Sequence, residues 1–249
     1  MAIGLNADTE GAYRASIPSG GAGTLSDGAF TNCFVGVWVY RPSATTTYAL
    51  TAGGSLIDFQ AGARQVALGF NSAGSLLSDL NLQITFNSGG GTGAVQTFAS
   101  HAGDDYLDEW VYYFILDNAT SGQIAGYILK SALGSIADSI TRTNDNAGSQ
   151  FINTLTFGNV SALSTAAMGN FAFARARYAS GITTANVLTA AASDSAIGGD
   201  WGFWPLADNA DTGDDSGNAR DLTFTAGLSS ETSPVLTSFV PSMMMMGVG

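Results

Sequence analysis

From Phe30 onward, apolar residues fall at alternate positions in short runs, separated by clusters of Gly, Ser, Asn and Asp. Leu80, Leu82, Ile84 and Phe86 alternate with Asn81, Gln83 and Thr85, the period of two that turns one face of a strand to a core and the other to water. Such runs, rich in Phe, Tyr, Val, Ile and Thr, predict strands near 31–41, 47–51, 54–60, 64–71, 79–87, 93–99, 108–117, 122–130, 151–158, 168–178, 200–206 and 219–226. That rhythm is the rhythm of a β-sandwich. One helix is predicted, from Thr183 to about Ser193, where Ala is frequent and Thr183 or Thr184 can serve as N-cap. Strict alternation puts Phe171, Phe173, Arg175 and Arg177 on one strand face, opposite Ala172, Ala174, Ala176 and Tyr178. A face that changes from Phe to Arg along its length is expected to leave the core for an edge or an interface.

No linker interrupts the strand pattern, so residues 30–226 read as one sandwich domain. Segments 1–29 and 227–249 have little periodicity and read as irregular N-terminal and C-terminal arms. The second arm carries Met243, Met244, Met245 and Met246, four flexible apolar side chains of the kind that fill irregular grooves on a partner.

Composition narrows the partners. Hydrophobic residues make up 45% and charged ones only 11%, which points to extensive burial or to surface reserved for other proteins. Eight Lys and Arg stand against 20 Asp and Glu, a net charge of −12. Phosphate-backbone binding needs clustered cations that displace counterions, so nucleic acid is not an expected partner. Cys33 is the single cysteine, in the apolar run CFVGVWVY, so no intrachain disulfide forms and the thiol is expected to be buried. With His101 the single histidine, a multi-histidine zinc site is excluded. No apolar run approaches the ~20 residues that span a bilayer, and the N-terminus lacks a basic and an apolar region. The expectation is therefore a protein made in the cytoplasm, with no membrane partner.

The most informative stretch is residues 201–226, WGFWPLADNADTGDDSGNARDLTFTA. Two aromatic-rich runs flank a loop packed with Asp, Asn and Gly, in which side chains can bond their own backbone and Gly213 and Gly217 can supply positive φ. Trp201 and Trp204 are expected to anchor the entering strand in the core. The loop's carboxylates are hard oxygen donors at short spacing, which makes Asp208, Asp211, Asp214 and Asp215 weak candidate calcium ligands; the spacing is not that of an EF-hand. Turn chemistry alone also accounts for them, in which case no cofactor is bound.

The pattern Trp204, Leu206, Asn209, Asp211, followed by Asp214, Ser216, Gly217, Asn218, Leu222 and Thr223, resembles the laminin-G-like, concanavalin A-like jelly rolls. Residues 108–130, DEWVYYFILDNATSGQIAGYILK, resemble the hairpin of that superfamily around a turn at Asn118 to Gly122, with Leu129 and Lys130 where Asn-Gly is usual. Residues 155–159 and 169–187 resemble its last strands and trailing helix, with Phe171 and Ala172 where an acidic pair is common. The order of these segments is similar to that in phage structural proteins. The resemblance implies an all-β, antiparallel jelly-roll β-sandwich with one short helix and extended terminal arms.

Catalytic readings find little support in the residues. Retaining glycosidases need two carboxyls about 5 Å apart, yet the chain has only Glu10, Glu109 and Glu231, far apart in sequence. Asp104, Asp105, Asp108 and Glu109 precede a strand and read as a solvated turn. No G-x-S-x-G nucleophile motif occurs. SGGGTG at 88–93 lacks the Lys-Ser/Thr ending of a phosphate loop and reads as a flexible hairpin or a backbone contact. The expected function is that of a non-enzymatic virion protein, a capsid decoration or head or tail appendage, binding capsid or tail subunits and copies of itself. Met243 to Met246, Arg175 and Arg177 are its candidate partner-binding residues. The alternative is a lectin-like module that recognises a cell-surface glycan.

Overall fold

The computed structural model describes residues 2–4, 12–15, 32–43, 55–61, 64–70, 81–88, 94–102, 105–118, 123–130, 136–143, 154–158, 172–207, 213–224 and 229–231. Among them are fifteen strands and one helix. The strands are β1 (Ala2–Gly4), β2 (Ala12–Ala15), β3 (Asn32–Tyr40), β4 (Ser55–Ala61), β5 (Arg64–Phe70), β6 (Asn81–Ser88), β7 (Ala94–Ala102) and β8 (Trp110–Asn118). They continue with β9 (Gln123–Lys130), β10 (Ile136–Thr143), β11 (Thr154–Phe157), β12 (Ala172–Ser180), β13 (Asp200–Trp204), β14 (Thr223–Phe224) and β15 (Ser229–Glu231). Helix α1 (Val187–Ala192) lies between β12 and β13.

Two antiparallel sheets result. The first runs β10-β9-β8-β3-β12-β1-β15, with β13 also paired to β12. The second runs β14-β2-β11-β4-β5-β6-β7. Centre strands β3 and β8 pair over their whole length, from Asn32 opposite Asn118 to Tyr40 opposite Trp110. Alternation then sorts two aromatic and aliphatic faces. Val35, Val37 and Val39 share one face with Val111, Tyr113 and Ile115, all at most 1% exposed. Phe34 and Trp38 share the other with Tyr112 and Phe114.

That second face is covered by α1, whose Val187, Ala190 and Ala191 pack against Phe34, Trp38, Tyr112 and Phe114. Trp38 fixes the helix by donating Nε1–H to the Ala191 carbonyl at 2.9 Å. The first sheet is thus buried on both faces at its centre, which explains why β3 and β8 read as near-continuous apolar runs. Between the sheets, Phe157 of β11 meets Trp204 of β13 at 6.0 Å. Gly36 is needed where it stands: a Cβ there would lie 2.4 Å from the Tyr112 hydroxyl and 2.8 Å from the Phe34 ring.

Several expectations are corrected. The N-terminal segment, read as an irregular arm, contributes β1 to one sheet and β2 to the other, each between two partners. Such short strands lie below the length at which alternation can be seen. The C-terminal arm likewise supplies β15 on β1. Strand β10 went unpredicted because Asp138 and Arg142 interrupt its apolar pattern, as charges do on an outermost strand. The helix begins at Val187 rather than Thr183. Residues 183–186 form a turn in which the Asn186 side chain accepts the Thr183 backbone N–H at 2.6 Å, so neither Thr183 nor Thr184 caps the helix.

The largest correction concerns β12. A register shift between Ala174 and Arg177 inserts an extra residue opposite β3, and Arg175 there has φ of 50°. The shift marks a change of neighbour: Ala172 and Phe173 pair with β1, whereas Ala176 to Ala179 pair with β13. Arg175 sits at the junction and donates its N–H to the Pro205 carbonyl at 2.9 Å. A bulge reverses the facing of every residue beyond it. Arg177 therefore shares a face with Gly36 and the helix-covered aromatic cluster, not with Phe173.

Candidate functional site

Each sequence-derived candidate has a definite place. Arg177 is 1% exposed and its guanidinium is committed inside the protein. Nη1 forms a short ion pair with Asp200 Oδ2, Nη2 donates to the Ser195 carbonyl at 2.9 Å, and the group stacks 4.4 Å from the Phe203 ring centre. It does not present a cation to a neighbour, so the partner-binding expectation for Arg177 is withdrawn; the bulge that turned it inward is the reason. Burial pushes the Asp200 carboxyl above its ordinary value, against the opposing pull of the Ile197 N–H and of Arg177. Arg175 is partly buried, with burial lowering its guanidinium from the usual value and Asp194 the opposing charge. Met243 to Met246 lie outside the described residues.

The acidic loop is held as turn chemistry would hold it. Asp214 Oδ1 accepts the N–H groups of Phe203 at 3.0 Å and Ser216 at 2.9 Å, and Oδ2 accepts that of Arg220 at 3.0 Å. Both oxygens are therefore occupied by backbone donors, which ties the loop to β13. Asp215 is exposed, and its N–H donates to the Phe203 carbonyl at 2.8 Å. Asp208 and Asp211 lie outside the described residues. Among the described residues no group of three or more His, Cys, Asp or Glu is placed to hold a metal ion.

Trp201 and Trp204 are core residues, 5% and 0% exposed. Trp204 donates Nε1–H to the Arg220 carbonyl at 2.8 Å, and the Arg220 guanidinium lies 3.9 Å over the Trp201 ring. The motif Trp-Leu…Asp-Ser-Gly-Asn thus specifies a crossing from one sheet, at β13, to the other, at β14.

A different place, legible in the sequence only as a solvated turn, gathers exposed chemistry. The aromatic ladder under α1 has one more rung, Tyr40 opposite Trp110, with ring centres 5.6 Å apart and planes inclined by 46°. The neighbouring rung, Trp38 and Tyr112, is at most 1% exposed, but Tyr40 and Trp110 are only partly buried. Beside them runs the turn 105–109, in which Tyr106 and Asp108 both have φ of 57°. A left-handed Tyr is costly and persists only where its surroundings dictate it. Here Arg41, 1% exposed, donates through Nη2 to the Asp105 carbonyl, while the Asp108 N–H donates to the Arg41 carbonyl at 2.9 Å.

The result is a fixed, exposed carboxylate. Asp108 Oδ1 accepts the Ser43 N–H at 2.9 Å and, at 3.4 Å, the Tyr40 hydroxyl. The Ser43 hydrogen bonds hold this carboxyl below its ordinary value, and burial with the Asp108 charge raises Tyr40. Sequence reasoning took Asp108 for a solvated turn residue, which it is. What it could not see is that the β3–β8 register carries Tyr40 beside it from 68 positions away.

No family model and no curated protein sequence matches the chain. Solved structures do. A native heptameric SAP-like pentraxin from Limulus polyphemus is 11% identical, over 95% of this chain and 96% of that one, with a TM-score of 0.56. The CBM40 of a Ruminococcus gnavus IT-sialidase is 13% identical over 76% and 95%, with a TM-score of 0.44. The CBM2 module of an evolved Dit from Lactobacillus casei BL23 phage J-1 is 15% identical over 64% of each chain, with a TM-score of 0.41. The likeness to the pentraxin extends over nearly all of both chains, and it establishes the fold: an antiparallel jelly-roll β-sandwich with one short helix.

Proposed function

We propose that this chain is a non-enzymatic structural protein of a phage virion, a capsid decoration or head or tail appendage protein that binds neighbouring subunits and copies of itself. The observation that carries this reading is the placing of the C-terminal segment. Among the described residues, strand β15 ends the order of its sheet, paired to β1, and it precedes Met243 to Met246 in the sequence. A strand at the end of a sheet is a template for another chain, and thioether side chains adapt to irregular grooves. The segment order that resembles phage structural proteins supports the same reading.

Quantitative mass spectrometry of gradient-purified particles tests it. A copy number in simple ratio to the major capsid protein is expected for a decoration protein, and a few copies per particle for a tail appendage. Absence from particles would remove the virion reading. Replacing Met243 to Met246 by Ser tests the attachment role of the tail: incorporation at the wild-type level would refute it.

A second reading, a carbohydrate-binding module, is favoured by a separate observation, the partly exposed Tyr40–Trp110 pair beside the fixed Asp108 carboxylate.

A further inference from the structure

We infer that Tyr40, Trp110 and Asp108 form a binding site for an uncharged sugar, at the end of the β3–β8 pair that α1 leaves partly uncovered. The inference rests on the carbohydrate-binding reading and gives it a place and a ligand class. Pyranose rings have an apolar face of C–H groups and a rim of hydroxyl donors. Two inclined aromatic rings 5.6 Å apart offer the first a wall, and a carboxylate offers the second a strong acceptor.

Asp108 is suited to that role by what holds it. Its Oδ1 accepts the Ser43 N–H and the Tyr40 hydroxyl, and the Ser43 side chain adds a further hydrogen bond; a carboxylate has about four acceptor positions, so this exposed group can still accept ligand hydroxyls. The turn is pinned by Arg41 from within, so it needs no ordering when a ligand arrives, and that lowers the entropic cost of binding. Two left-handed residues in one five-residue turn record backbone strain that the fold maintains while keeping this carboxylate aimed outward.

Charge selects the class. The acidic groups of the turn are Asp105, Asp108 and Glu109, the protein carries −12 overall, and Arg41 is buried against the turn's backbone. A carboxylated or sulfated sugar would meet repulsion from the Asp108 carboxylate. A neutral hexose or N-acetylhexosamine meets none.

The test is an array of immobilised oligosaccharides of glucose, galactose, mannose and N-acetylglucosamine, with sialylated and sulfated glycans beside them. It is read for the wild-type chain, Asp108→Asn and Tyr40→Ala. Asn tolerates the left-handed conformation, so the first variant removes charge without breaking the turn; retained melting temperature verifies this. The expected result is wild-type binding to at least one neutral glycan, weakened tenfold or more by each variant. Neutral binding that both variants retain would overturn the site and leave the carbohydrate-binding reading standing. Binding confined to acidic glycans would overturn the ligand class, and no binding at all would overturn both the site and that reading.

Discussion

Removing the Arg177 guanidinium should destabilise this protein strongly at neutral pH and much less in mild acid. In Arg177→Met the apolar stem still packs beside Phe203, but the Asp200 carboxylate, whose side chain is 1% exposed, loses its cationic partner and keeps the Ile197 N–H at 2.7 Å. Breaking one side of a buried pair typically costs about 3 to 5 kcal/mol, because the remaining charge is left uncompensated. The Ser195 carbonyl also loses a donor, but that residue is exposed and water replaces it. The pH dependence follows from the direction of the Asp200 shift. Burial already raises its folded pKa, and loss of Arg177 raises it further. A group with a raised folded pKa binds more protons in the folded state, so stability falls as pH rises through that window and returns as pH is lowered. Urea unfolding followed by tryptophan fluorescence at pH 7 and pH 5 measures both effects. The expected deficit at pH 7 shrinks at pH 5 by about 1 kcal/mol or more, the size of one pKa unit. A deficit below about 1 kcal/mol at pH 7, or one of equal size at both pH values, would refute the assignment of Arg177 as the internal counter-ion of Asp200.

Asp214→Ala should cost about 2 to 3 kcal/mol, since three backbone donors lose a charged acceptor in a loop where water offsets part of the loss; hydrogen exchange should quicken at the Phe203, Ser216 and Arg220 amides, and unchanged exchange would sink the account. Tyr112→Phe should stabilise by about 1 kcal/mol in thermal unfolding, because its hydroxyl is buried without a hydrogen-bond partner among the described residues. Gly36→Ala should lower stability by about 1 to 3 kcal/mol, as its methyl would overlap Tyr112 and Phe34, and an unchanged melting temperature would contradict the packing described. Because Asp108 is held below its ordinary value, neutral-sugar binding should be constant from pH 7 to pH 5 and fall only in acid below the ordinary aspartate range; calorimetry that showed loss by pH 6 would exclude Asp108 as the acceptor.

Much of the framework is legible along the chain. The hairpin of β8 and β9 closes from Asn118 to Gln123 at the turn expected there, and Gly-rich 88–93 joins the antiparallel strands β6 and β7. Trp201 and Trp204 are buried as a sandwich strand requires. Period-two alternation, turn residues and aromatic content are local properties, and they determined that this chain forms many short antiparallel strands with one short helix. Local signals were silent where partners decided the outcome. Ala2–Gly4 and Ala12–Ala15 are strands because neighbours on both sides take up their backbone groups, not because their own sequence demands it. The facing of Arg177 depended on one inserted residue at Arg175, placed where β12 exchanges β1 for β13, an event that no pattern within β12 announces. The meeting of Tyr40 with Trp110 and Asp108 required the register between two strands some 70 residues apart. Alternation fixes which residues can share a face; register and bulges, set by strand pairing across the whole sheet, decide which of them meet and which reach solvent.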